Sequence, residues 1–145
     1  MTDPVLRQRV RRLLLALGRA AMYRSAFDEA ATHFDYEGQR VRFSRNRPDA
    51  PLTPGTQDRL SVILQLAAQL QAQPMQSGQS ITVPVASSRA VDLWVWLVGD
   101  LQTVDLPQGP SVARHLTRPA LDERDNTIEL WMAPSLQHLP VRMAQ

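Results

Sequence analysis

The sequence predicts an α+β fold, mainly antiparallel sheet, with one central helix and a second, amphipathic helix at the N-terminus. Three observations carry this. Short runs of alternating apolar and polar residues recur through the second half of the chain, with turn-forming residues between them. Connections that short join antiparallel neighbours rather than parallel crossovers. One segment, residues 57–71, instead repeats its apolar residues at helical spacing. Finally, a chain of 145 residues without cysteine is long enough to build one core without a disulfide or thiolate-metal staple.

The N-terminus has the grammar of a helix. Asp3 caps free amides, Pro4 suits the first helical position and Gly18 serves as a stop. Leu6, Val10, Leu13 and Leu17 recur at spacings of four, three and four, so they share one face. All 16 basic residues of the chain are arginine, and six of them fall in residues 1–24 against the single acid Asp3. That segment carries +5 and the rest of the chain −3, so the net charge of +2 conceals a basic arm on a mildly acidic body. Arg7, Arg9, Arg11 and Arg12 are its candidates for binding an anionic surface. A membrane suits them better than nucleic acid, because only Tyr23 is near enough to stack on a base. The expected organisation is an arm, 1–24, and a single sheet-plus-helix domain, 25–145. The apolar run 13–17 is too short for a secretory signal, Arg19 stands where a small-residue cleavage site belongs, and no stretch approaches the ~18 apolar residues of a membrane span.

Thr32 and Phe34, then Val41 and Phe43, bracket the turn Asp35-Tyr36-Glu37-Gly38 and predict a hairpin with Arg40 and Arg42 on its wet face. Pro48, Pro51, Pro54 and Gly55 make 46–55 a connecting loop. The helix follows, with Leu60, Ile63, Leu64, Ala67 and Leu70 on its apolar face and Asp58 in its first turn, where the helix dipole favours an acid. Strands are then expected at 80–86, 91–98, 101–106, 111–117 and 127–132, with a last extended piece around Val141. Pro84 marks its strand as an edge or a bulge. The strand 91–98 is apolar on both faces, Val91, Leu93, Val95 and Leu97 on one and Trp94, Trp96 and Val98 on the other, so each face needs a cover.

Two short motifs resemble the bacterial domain of unknown function 3108 family. One is the helix start Gln57-Asp58-Arg59-Leu60-Ser61; the other is Leu130-Trp131-Met132-Ala133-Pro134 followed by Leu139-Pro140-Val141-Arg142. Trp94, Trp96 and Gly99 are compatible with the pattern, and the resemblance spans roughly 34–143. It implies a curved antiparallel meander, half-barrel-like, packed around the central helix, in an exported, periplasmic or envelope-associated protein with no assigned activity. The chain departs from that family at its front, where members usually carry a signal peptide and further strands. Without such a signal here, the sequence alone also admits a cytoplasmic location.

Chemical motifs are sparse. His33, His115 and His138 are scattered with no metal-ligand spacing, and there is no nucleophile elbow, phosphate loop or dinucleotide fingerprint. No catalytic residue, metal or cofactor is therefore assigned. Asp122, Glu123 and Asp125 beside Arg124 lack the glycine and distal glutamate of a calcium loop and read as a solvated turn. The candidate ligand-binding residues are Trp94, Trp96 and Trp131, which would line a groove if their strands face one interior; filling a core is the competing role. Asp58, Arg59, Pro140 and Arg142 read as structural. The function expected is a non-enzymatic binding or structural module for an apolar or amphipathic ligand (lipid-like, glycan or peptide) or an envelope protein partner. Two alternatives stand beside it: a hydrolase-like enzyme using Asp58 or His115 in a cleft, and anionic-surface binding through the N-terminal arginines.

Overall fold

A computed structural model describes residues 32–44 and 46–145. The N-terminal helix and its candidates Arg7, Arg9, Arg11 and Arg12 lie outside the described residues. The described chain is mainly β, and it divides into two compact units: 32–61 with 84–92, and 62–83 with 93–145.

The first unit holds β1 (Thr32–Asp35), β2 (Arg40–Phe43), β3 (Ala50–Pro51) and β4 (Gln57–Asp58). β1 and β2 form the expected hairpin, with Thr32 opposite Phe43 and Asp35 opposite Arg40. Asp35 organises the turn. Its carboxylate accepts the Gly38 amide at 2.8 Å and pairs with Arg40 and Arg42 at 3.2 and 3.0 Å. The Gly38 hydrogen bond, then the arginines, hold this carboxyl below the usual range. A side chain at Gly38 would run into Asp35, its Cβ falling 2.6 Å from Oδ2. Arg40 and Arg42 thus keep a wet face but are tied to an acid. Val41, Phe43 and Ala86 form a small core, flanked by Phe34, Ala50, Leu52 and Val91.

The proline-rich loop contains a strand that sequence patterning missed. β3 pairs antiparallel with β2 through Arg40↔Pro51 and Val41↔Ala50, a stretch too short for any periodicity to show. β4 is also unexpected: it runs parallel to the end of β5 (Ser80–Ala86), with Gln57 beside Val85 and Asp58 beside Ala86. It reaches only the last two residues of β5 and stops short of Pro84, which therefore owes it no amide donor.

Because 57–58 is strand, the helix α1 begins later, at Ser61–Ala72. Asp58 precedes it rather than sitting in its first turn. Its buried carboxylate accepts the amides of Leu60 and Ser61 at 2.8 and 2.9 Å and the Ser61 hydroxyl at 2.6 Å, so it satisfies donors that a helix start leaves free. Asp58→Ala is expected to lower stability by about 1–2 kcal/mol, read as a shift of the urea midpoint with an unchanged slope.

The second unit holds α1 from Val62 on, β5 as far as Val83, β6 (Val91–Leu106) from Leu93 on, β7 (Gly109–Arg118), β8 (Ile128–Ala133) and β9 (Leu139–Ala144), a meander of consecutive strands lying side by side. This sheet curls into a half-barrel with α1 as its filling. β6 is one strand of 16 residues, where the sequence suggested two joined by a turn. The irregularity at Gly99-Asp100 is a bulge, since Val98 pairs with Leu116 while the next pair is Leu101↔Arg114.

Register sorts the side chains between two faces. Val98 lies opposite Leu116, and Leu116 opposite Leu130; all three are buried. Trp94 and Trp96 stand four and two positions before Val98 and share its face. Val62, Leu66, Ala67 and Leu70 of α1 are buried with this face. On the other face, Leu93, Val95 and Leu97 are exposed at 64%, 41% and 47%. The expectation that both faces of this strand are covered is corrected by that row. Alternation decides only that the two sets point apart, and one helix can seal only one of them.

Candidate functional site

The three tryptophans are not brought to one groove. Trp131 lies opposite His115, one residue out of step with the Leu116↔Leu130 pair, so it occupies the sheet face away from Trp94 and Trp96. The indoles belong to two separate environments, each built around an arginine.

On the helix side, the Trp94 and Trp96 rings are 6.3 Å apart and tilted by 55°. The Arg118 guanidinium sits 4.3 Å from the Trp94 ring centroid, a cation–π contact away from water. Arg118 is 1% exposed. Its terminal nitrogens pair bidentately with Asp125, Nη2 reaching Oδ1 at 3.0 Å, and Nη2 also donates to the Asn126 carbonyl at 2.6 Å. The 119–127 turn folds onto this pair. Asp125 also accepts the amides of Leu121 and Asn126, each at 2.9 Å. The Arg118 hydrogen bonds above all hold the Asp125 carboxyl far below the usual carboxylate range. The acid cluster is therefore not simply solvated: Asp125 neutralises a buried cation. Its partner lies seven residues away across the end of a strand, and only the fold reveals it.

On the opposite face, Trp131 is stacked between two cross-strand neighbours. His115 lies at 4.8 Å and 27° to its ring, and the Arg142 guanidinium 4.6 Å from its ring centroid. Its indole N–H donates to Gln102 Oε1 at 2.9 Å. Val104, Ala113 and Trp131 form a small core here, flanked by Leu106, Val141 and Ala144. Arg142 belongs to β9, opposite Trp131, and Pro140 lies opposite Met132 beyond a break in register.

One histidine and one carboxylate do converge. His115 Nε2 and Glu129 Oε1 are 2.9 Å apart. Trp131 covers one face of the imidazole, and Gly99 packs so close that a Cβ there would sit 3.1 Å from the His115 carbonyl and 3.4 Å from Nδ1. Glycine at 99 allows that approach, and the imidazole, its side chain 18% exposed, stacks on Trp131. Asp58 is equally committed. With Arg59, Thr32, Phe34, Ala86, Ser87 and Ser88 it lines a cleft of about 10 Å³, room for one water molecule, while both its oxygens serve the helix start. Among the described residues no three or more His, Cys, Asp or Glu gather as metal ligands, and no helix is long and apolar enough to cross a membrane.

A third grouping went unnoticed in the sequence. Arg114 and His138 meet near the end of α1, where His138 Nδ1 and Gln71 Oε1 lie 2.9 Å apart. Burial, and then the Arg114 charge, push the His138 imidazole below its usual range. Arg114 donates from Nη1 to the Gly99 carbonyl at 3.1 Å and makes no ion pair with a described carboxylate. Gln137 and His138 both adopt left-handed backbone conformations, at φ 56° and 58°, so the chain turns sharply between the Pro134–Leu136 3₁₀ turn and β9.

These features define a class: a mainly β protein whose curled antiparallel meander holds the helix α1, with arginine-backed indoles built into both faces of the sheet. The chain belongs to the family described as protein of unknown function (DUF3108), whose model matches residues 21–145. No curated protein matches the chain, and no solved structure does.

Proposed function

We propose that this chain is a non-catalytic binding module of the bacterial envelope, periplasmic in location, that holds an apolar or amphipathic ligand or an envelope partner. The supporting observation is the exposed row Leu93, Val95 and Leu97 along β6. Single exposed leucines are ordinary on protein surfaces, whereas three successive outward positions of one strand form a continuous apolar strip that water covers at a cost. The envelope location rests on the family resemblance.

The test is uptake of Nile red, a neutral apolar dye. The folded protein is expected to raise and blue-shift its emission, and Leu93→Asp combined with Leu97→Asp is expected to remove most of that signal with an unchanged circular dichroism spectrum. Equal dye response in the folded double variant would overturn the reading.

A further inference from the structure

Beyond the bulge, β6 and β7 carry the helix-side face of the sheet past the end of α1. Leu101 lies opposite Arg114, and Val112 stands two positions before Arg114 on β7, so the three side chains share one face. Leu101 and Val112 are 50% and 52% exposed. The Pro134–Leu136 turn packs against β7, bringing the half-exposed Leu136 and, two residues on, His138 to the same corner. The result is a shelf of three exposed apolar side chains beside two basic groups.

Among the described residues the charge on this shelf has no ion-pair partner. Arg118 has Asp125 and His115 has Glu129, but no described carboxylate pairs with Arg114. Its guanidinium spends one donor on the Gly99 carbonyl and keeps the others for a further acceptor. An isolated, half-buried guanidinium beside apolar surface is complementary to a group carrying one negative charge and two acceptor oxygens. A chain of methylene groups attached to that anion would cover Leu101, Val112 and Leu136, gaining apolar burial that a small anion lacks.

We propose that this shelf is a binding site for a single-chain amphipathic carboxylate, its head on Arg114 beside His138 and its tail across Leu101, Val112 and Leu136. The proposal deepens the binding-module reading and rests on it, naming the ligand class and a site distinct from the Leu93, Val95 and Leu97 row. His138 lines the head position, fixed there by its bond to Gln71 and by the left-handed turn that carries it.

Titration of the full chain with sodium dodecanoate below its micelle concentration, followed by calorimetry and amide chemical shifts, tests this. Saturable 1:1 binding is expected, with shifts centred on Leu101, Val112, Arg114 and His138. Acetate should bind far more weakly because it lacks the tail, and dodecanol because it lacks the charge. Arg114→Gln is expected to weaken dodecanoate by about tenfold or more, equivalent to about 1.4 kcal/mol, and Val112→Asp to abolish binding, each variant keeping the parent circular dichroism spectrum. Dodecanoate affinity unchanged in folded Arg114→Gln, or dodecanol binding as tightly as dodecanoate, would overturn the site. So would binding to phosphatidylglycerol vesicles with none to free dodecanoate, since the anion would then be a membrane surface. Loss of dodecanoate binding with Nile red uptake intact removes only this site; loss of both removes the binding-module reading too.

Discussion

Asp125→Ala is expected to cost about 3–5 kcal/mol of folding stability, because it leaves the Arg118 charge buried without its counter-ion. Arg118 is 1% exposed, packs on Trp94 and has no route to water for its guanidinium. The 119–127 turn, organised by amides that donate to Asp125, would lose its anchor in the same substitution. Urea unfolding at neutral pH measures the loss, and Arg118→Met added to Asp125→Ala should recover part of it by removing the orphaned charge. A cost below about 0.5 kcal/mol, the range of an ordinary surface change, would show the pair to be solvated. The pH dependence has a definite sign. Asp125 titrates lower in the folded protein than in the unfolded chain, so its stabilisation is complete above the unfolded value of about 3.9 and is lost as pH falls from there through the folded value. Acid unfolding should therefore be less steep in Asp125→Ala than in the parent.

Trp96→Ala should be comparably damaging, about 3–5 kcal/mol, through the cavity that a missing indole leaves in a packed interior. Trp96 is 1% exposed, on the face buried with α1. The informative control is on the same strand. Leu93→Ser removes an apolar side chain that is 64% exposed and should change stability by no more than about 0.5 kcal/mol. Paired denaturation curves separate the roles of the two faces: a small effect at Trp96, or a large one at Leu93, would reverse the assignment of inside and outside.

Much of this domain is legible from local pattern. The Asp35 to Gly38 turn shows itself because an aspartate and a glycine bracket it, and the hairpin strands on either side alternate. β7 and β8 were expected within one or two residues of where they lie, since alternation is a local property. The helix start was misplaced by four residues for a tertiary reason: Gln57 and Asp58 are drawn into a two-residue strand beside Val85 and Ala86, and no local signal marks a partner that distant. Gly99-Asp100 reads as a turn in sequence, yet pairing with β7 on both sides of it keeps β6 continuous and turns the irregularity into a bulge.

The candidate groupings were less legible than the fold. Trp94 and Trp96 share a face because they are two residues apart on one strand, a relation that needs no tertiary information. The place of Trp131 depends on the register of β8 against β7, and a shift of one residue would have put it with the others. The arginines show the same division. Composition and segment counting alone determine that the body of the protein is acidic and the first 24 residues strongly basic. Which body arginine is neutralised depends on what the chain folds beside it: Asp125 reaches Arg118, whereas Arg114, among the described residues, meets a backbone carbonyl and a histidine. Sequence by itself thus determines the mainly antiparallel fold and its single central helix, because hydrophobic period and turn chemistry act over a few residues. Only the tertiary structure decides which apolar face is sealed and which cation a carboxylate neutralises, because burial and charge pairing depend on neighbours that the chain order does not place together.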